Sequence, residues 1–463
     1  MGSFSSFAGA VNNLVWGAPM LILLVGTHVF LTVRTRGIQR RLGRALRLSV
    51  ARDDGAEGDI SQFGALATAL AATLGTGNIV GVATAIALGG PGAVLWCWLT
   101  GIFGIATKYG EALLAVKYRV RTSDGTMLGG PMYALERGLR LKGLAAAFAV
   151  FAALASFGIG SSTQANSLTG MVAAQFGVAP WVSSLVVAAL VGLVILGGVK
   201  SIARVCTLLV PFMAVFYLAG CLFLLALNAR YIGAAVALIC RSAFSARAVG
   251  GGFAASTVMT AARYGVARGL FSNESGLGSA PIAAAAARTR NPVRQALVSM
   301  TGTFWDTVVV CAVTGLTLVS SIARSPETYY VGGSLLEGGA LTSAVFAQIR
   351  TAGPIILTVG LACFVFSTMV GWSYYGERCV EYLFGKAAIL PYKAVYVAAA
   401  FFGGVASLGV VWNLADTLNG LMAIPNLISL LGLSGVIASE TRRYLWSGGE
   451  GLDTASEETP PLR

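Results

Sequence analysis

The sequence predicts an all-α polytopic membrane protein of about 11 helices: one leading helix, then two five-helix repeats of opposite orientation, each opening with a broken helix. Three observations predict it. The 463 residues are 56% hydrophobic and only 11% charged, with a mean hydropathy of +0.76, too little charge for a soluble domain. The basic residues collect in alternate loops. Glycine-rich interruptions occur in two spans that lie five helices apart and run in opposite directions.

Apolar runs place helices near 11–33, 61–88, 92–118, 143–169, 180–198, 202–228, 250–270, 296–320, 345–376, 388–410 and 413–440. With the first loop (34–60) inside, 26 of the 32 Lys and Arg fall on the cytoplasmic side and five outside, which orients the N-terminus out and the C-terminus in. Residues 1–10 form an outer segment, 11–445 the transmembrane domain and 446–463 a polar, disordered tail. A cytoplasmic loop helix is expected within 122–142 and an outer loop at 321–344.

The span 61–88 is the most informative. It is interrupted by Leu74-Gly75-Thr76-Gly77-Asn78. Glycine costs about 1 kcal/mol relative to alanine inside a helix, and irregular backbone in hydrocarbon survives only where protein buries it or a cavity adjoins it. The matching interruption in the second repeat is Gly250-Gly251-Gly252. Paired half-helices of this kind bind ions and zwitterions in secondary transporters.

Composition also excludes. A net charge of +13 raises nucleic acid, but the charge sits in short loops, as topology requires. The seven cysteines lie singly and form no CxxC pair, and His28 is the only histidine, so neither a zinc site nor an intramembrane hydrolase with a His base is supported. Gly75, Gly77 and Gly81 are spaced GxGxxxG, which is not a dinucleotide loop. No cofactor is expected.

Three long motifs stand together: GTGNIVGVATAIALGGPGA (Gly75 to Ala93), RGLFSNESGLGSAP (Arg268 to Pro281) and GWSYYGERCVEYLFG (Gly371 to Gly385). With GGPMYALERGL (Gly129 to Leu139) and GTFWDT (Gly302 to Thr307), they closely resemble the alanine or glycine:cation symporter family, the sodium:alanine symporters, from about residue 10 to 445. Ser275 departs from the family's usual alanine. The resemblance implies a leucine-transporter-type fold and sodium-coupled uptake of small neutral amino acids across the inner membrane. The expected partners are then the amino acid, Na+ as coupling ion and the lipid bilayer.

Such a substrate is a zwitterion. Its carboxylate needs donors, which half-helix amides from Gly75 and Thr76 through Gly77 to Asn78 can supply. Its ammonium needs acceptors: carbonyls freed by the break, or the side chains of Asn78 and Gln164. Sodium takes hard oxygens. The carbonyls of Ala71 and Leu74, the carbonyl of Phe364, and the hydroxyls of Ser367 and Thr368 at helical spacing make a five-oxygen cage. In the family resemblance, Trp372 closes the substrate pocket. Phe253 is a candidate beside the second interruption, with Phe271 and Ser272 as alternatives. Asp306 either tunes the ion or pairs with a cytoplasmic arginine, Asp416 is solvated or a cap, Glu274 ties a gate to Arg263 or Arg268, and Glu111 pairs locally with Lys108. Proton coupling and a channel are the competing functional readings.

Overall fold

The computed structural model describes residues 2–51, 56–244, 258–331, 333–406, 409–446, 451–455 and 459–462, with side chains described from residue 9 on and outside 409–412. Gly250–Gly252 and Phe253 lie outside the described residues. The described residues form a helix bundle decorated by two small hairpins. In chain order the principal helices are α1 (Gly9–Arg34), α2 (Gln62–Thr73), α3 (Gly77–Gly89), α4 (Ala93–Lys117), α5 (Lys142–Phe176), α6 (Pro180–Leu196), α7 (Gly198–Leu227), α8 (Ala229–Phe244), α9 (Val258–Asn273), α10 (Pro281–Ala285), α11 (Pro292–Arg324), α12 (Gly338–Phe346), α13 (Ala352–Phe384), α14 (Lys386–Val405) and α15 (Asn413–Gly432).

Among the described residues, seven helices are long and apolar enough to cross a membrane, and eight if the bent pair α2/α3 counts as one. α6 is shorter but equally apolar. The polypeptide is an integral membrane protein.

Local sequence sets the ends. Ser61 caps α2 by accepting from the Gly64 amide at 3.0 Å. Asn291 caps α11 through Arg294 at 2.9 Å, with Pro292 in the first turn, where its missing N–H costs nothing. α1 is interrupted at Trp16-Gly17, ahead of Pro19.

Two loop expectations change in detail, and one helix is added. The segment after α4 is a hairpin, β1 (Val120–Arg121) against β2 (Met127–Leu128), followed by a short helical run from Pro131 to Gly138. The region 321–344 contains the end of α11, a second hairpin and the start of α12, which packs against α3. α8 was not foreseen: its amphipathic pattern, with Arg230 and Arg241, lacks the long apolar run used to find spans.

Packing fixes where the two breaks can meet. α13 lies against α2, α5 and α7, while α4 lies against α9 and α11. Small residues let backbones approach, as is usual between membrane helices. At Gly371 of α13, an added Cβ would sit 2.8 Å from the Ala72 amide nitrogen of α2. A Gly371→Val substitution should therefore destabilise the protein by about 1–3 kcal/mol, read as a lower unfolding midpoint in detergent. Gly435→Ala, where a Cβ meets nothing within 4 Å, should leave that midpoint in place.

Candidate substrate and ion site

The first break is where the sequence places it. Leu74 leaves helical geometry at ψ 94°, α3 resumes with a widened π turn at Gly77–Gly81, and the two halves are bent by 52°. The local bonds are reciprocal. The Gly75 amide donates to Asn78 Oδ1 at 2.9 Å, and the Asn78 amide donates to the Gly75 carbonyl at 3.2 Å. Asn78 is therefore first a cap of the break, and its side-chain oxygen is already engaged by the backbone. This differs from the expectation of a free ammonium acceptor. Thr76 is buried beside it.

Two further helices converge on this point. Thr368 Oγ1 of α13 donates to the Leu74 carbonyl at 3.2 Å. A Cβ on Gly75 would lie 2.6 Å from Thr368 Oγ1 and 3.7 Å from Gln164 Oε1, so glycine is required for the contact. Gln164 follows a π turn at Gly158–Ser162 in α5. Its Nε2 donates to the Ile159 carbonyl at 3.1 Å, while its buried Oε1 has no hydrogen-bond partner among the described residues. Trp372 packs on the bare backbone of Gly160, where a Cβ would come within 2.4 Å, and meets Tyr375 edge-on at 5.6 Å. Its buried indole N–H lies beside the Glu274 carboxylate of the second break.

Of the five oxygens expected around sodium, Leu74 and Thr368 are in direct contact. Ala71 is fully buried on α2, which runs alongside α13. Ser367 behaves differently: its hydroxyl donates to the Phe364 carbonyl at 2.9 Å and lies 3.3 Å from Met213 Sδ. Both groups of that pair are thus satisfied within α13, a common habit of hydroxyls in membrane helices.

The second break falls at Glu274–Ala280, between α9 and α10. Glu274, Gly276 and Gly278 have φ of +54°, +93° and +88°, a run that only glycine-rich sequence adopts readily. Its signal was the SGLGSAP segment, with a proline opening the next helix. Phe271 and Ser272 directly precede it. The Phe271 ring stands against Gly77, 3.3 Å from where a Cβ would be.

Asp306 joins the two breaks. It accepts from Asn78 Nδ2 at 2.7 Å, from Ser272 Oγ at 2.9 Å and from Thr307 Oγ1 at 2.6 Å. It is fully buried, and no Lys or Arg forms an ion pair with it among the described residues. The arginine-pairing alternative is therefore not realised.

The carboxylates of the second break also correct the sequence reading. Glu111 does face Lys108, at 3.8 Å through Oε2. Its Oε1 has a larger role, accepting from the amides of Gly276 (2.9 Å) and Gly278 (3.1 Å) and from Asn426 Nδ2 (2.7 Å). Asn426 also donates to the Gly276 carbonyl at 2.9 Å. Glu274 accepts from Ser279 Oγ at 2.5 Å, with no ion pair to Arg263 or Arg268 among the described residues; Arg263 reaches Asn13 instead. The Asp416 backbone carbonyl accepts from the Trp16 indole at 2.9 Å. His28 is a packed residue, 2.8 Å from Thr107 Oγ1.

The model of the sodium:alanine symporter family matches residues 1–458. The chain belongs to that family. It is 53% identical over 448 residues to the sodium/alanine symporter AgcS of Methanococcus maripaludis, covering 95% of this chain and 97% of the relative. It is 36% identical to the probable sodium/glutamine symporter GlnT of Bacillus subtilis (96% and 91% covered). It is 33% identical to that organism's putative sodium/proton-dependent alanine carrier protein YrbD (97% and 94%). Among solved structures it resembles MhsT in complex with L-phenylalanine, at a TM-score of 0.56 and 16% identity, over 84% of this chain and 99% of that one. That likeness concerns the fold, the leucine-transporter type with broken first helices.

The second irregular segment is thus held by side chains from other helices. Glu111→Ala removes the acceptor of two buried amides and should cost about 1–3 kcal/mol for each group left unsatisfied. Glu111→Gln keeps an acceptor oxygen and should lose less. Unfolding midpoints and hydrogen exchange at Gly276 and Gly278 measure the difference.

Proposed function

We propose that this protein couples the movement of sodium to the uptake of a small neutral amino acid, alanine or glycine, by alternating access. The observation that carries this reading is the single node formed by Leu74, Gly75 and Asn78 of the first break, Thr368, Gln164, and Ser272 through Asp306. Family membership supports it, as does AgcS, named for sodium and alanine.

In this reading the substrate carboxylate lies against the backbone at Gly75–Asn78, where the bare glycines permit close approach and the start of α3 presents its positive end. The unpartnered Gln164 Oε1 receives the ammonium. Trp372 and Phe271 bound the side-chain space, which limits the substrate to a small residue. Sodium sits between the α2 carbonyls of Ala71 and Leu74 and the α13 oxygens. Thr368 turns its hydroxyl from the Leu74 carbonyl to the ion, and the pair Phe364 and Ser367 opens to complete the shell. Asp306 supplies the fixed negative charge nearest the substrate end of this array.

The basic loops orient the protein with its N-terminus outside and its C-terminus in the cytoplasm. One sodium crossing about 100 mV releases about 2.3 kcal/mol, and a tenfold gradient adds about 1.4 kcal/mol. Together they drive roughly several-hundred-fold accumulation of a neutral solute. A proton-coupled reading has one specific support, the buried Asp306 with only neutral donors around it.

Labelled alanine uptake into proteoliposomes separates these. The sodium reading predicts accumulation driven by an inward sodium gradient at constant pH and none driven by a proton gradient alone; the reverse pattern would assign the proton. Thr368→Ala should raise the sodium concentration for half-maximal uptake roughly tenfold, equivalent to about 1.4 kcal/mol. An unchanged sodium dependence would remove that hydroxyl from the ion site.

A further inference from the structure

The two broken helices are tied together again at the face that carries the basic loops. The strand-like segment before α2 pairs with the segment after α10. Asp59 and Ile60 donate to the Ala286 carbonyl at 2.9 and 3.2 Å, Arg288 donates to the Ile60 carbonyl at 2.8 Å, and Thr289 to that of Glu57 at 3.3 Å. Ile60 and Ala287 form a parallel bridge. Arg119, at the base of the β1–β2 hairpin, clamps the same junction. Its guanidinium donates to the carbonyls of Ala285 (3.3 Å), Ala287 (2.9 Å) and Glu57 (3.3 Å).

The C-terminal segment, expected to be free, reaches this junction at two places. Leu452 is buried. Asn291 Nδ2 donates to the Leu452 carbonyl at 2.8 Å and to that of Thr454 at 3.0 Å, and Arg290 donates to the Asp453 carbonyl at 3.1 Å. Arg294 pairs with the Asp453 carboxylate at 2.6 Å. Asn291, the cap of α11, thus holds both its own helix and the tail. Farther on, Thr459 Oγ1 accepts from Arg119 Nε at 3.3 Å. Arg121 donates to the Pro460 carbonyl at 3.0 Å, and Leu462 donates to the Arg121 carbonyl at 2.8 Å, so the tail adds a strand beside β1.

We infer that residues 451–455 and 459–462 form a latch that holds the inner ends of the two broken helices together and must detach for the transporter to open inward. This rests on the alternating-access reading above, and it adds a control element to it. The contacts are those of a releasable element. The Asp453 side chain is 82% exposed and Leu452 is the one buried apolar residue among the tail residues described, so few groups must be uncovered for the segment to come away. These contacts join the start of α11 to Arg119 and β1, and Arg119 in turn holds the 57–60 segment to the end of α10.

The bridge partners Arg121 and Pro461 provide the test, because paired strand positions lie within disulfide reach. In an Arg121→Cys/Pro461→Cys double variant, oxidation should form the cross-link and slow hydrogen exchange at Asp59, Ile60 and Arg288. It should also reduce alanine uptake at least tenfold, with recovery on reduction and no effect in either single variant. Failure to cross-link, exchange unchanged by oxidation, or a fully cross-linked protein that still transports at the reduced rate would each overturn the latch. The exchange readout does not depend on the substrate. Absence of sodium-driven uptake in the unmodified protein would instead count against the transport reading.

Discussion

The structure depends on the side chain of Asn78 standing in for helix backbone. A membrane interior offers no water, so each amide and carbonyl released where a helix uncoils needs a partner in the protein. Asn78 supplies one to its own break through Oδ1 on the Gly75 amide, and it spends its Nδ2 on Asp306 of α11. One residue thereby fixes the geometry of the first break and connects it to the second. Because Ser272 donates to the same carboxylate, a movement of either half-helix is felt by the other.

The second break solves the same problem with different chemistry. Its amides at Gly276 and Gly278 converge on one oxygen of Glu111, and Asn426 closes the remaining carbonyl at Gly276. A buried carboxylate is costly in this environment, and here it is met by three donors with Lys108 alongside. The contrast is instructive. The first break is held mainly by its own side chain and stays adjacent to Gln164 Oε1, which has no hydrogen-bond partner among the described residues. The second is held from α4 and α15, through Glu111 and Asn426.

The all-α membrane class and the first break were legible in the sequence because they follow from length, hydropathy and glycine, which act locally. Phe271 and Ser272 were legible as neighbours of an irregular segment, but the segment itself was not. Gly250–Gly252 has the denser glycine, whereas SGLGSAP breaks the helix through positive φ and a following proline. Glu111 was read as a partner of Lys108 three residues away, since spacing along one helix can be computed from sequence. Its bonds to residues 276, 278 and 426 depend on packing between helices and leave no periodic trace. Ser367 shows the opposite limit. Its spacing from Phe364 suited a shared ion, yet the same spacing suits a hydrogen bond within the helix, and the latter is what forms.

If the breaks hold solute and cation side by side, binding of one must strengthen binding of the other by the same factor. Equilibrium binding of alanine to the purified protein across a sodium series, and of sodium across an alanine series, measures this directly. The account predicts that both affinities rise, reciprocally and by an equal ratio. An alanine affinity indifferent to sodium would contradict it.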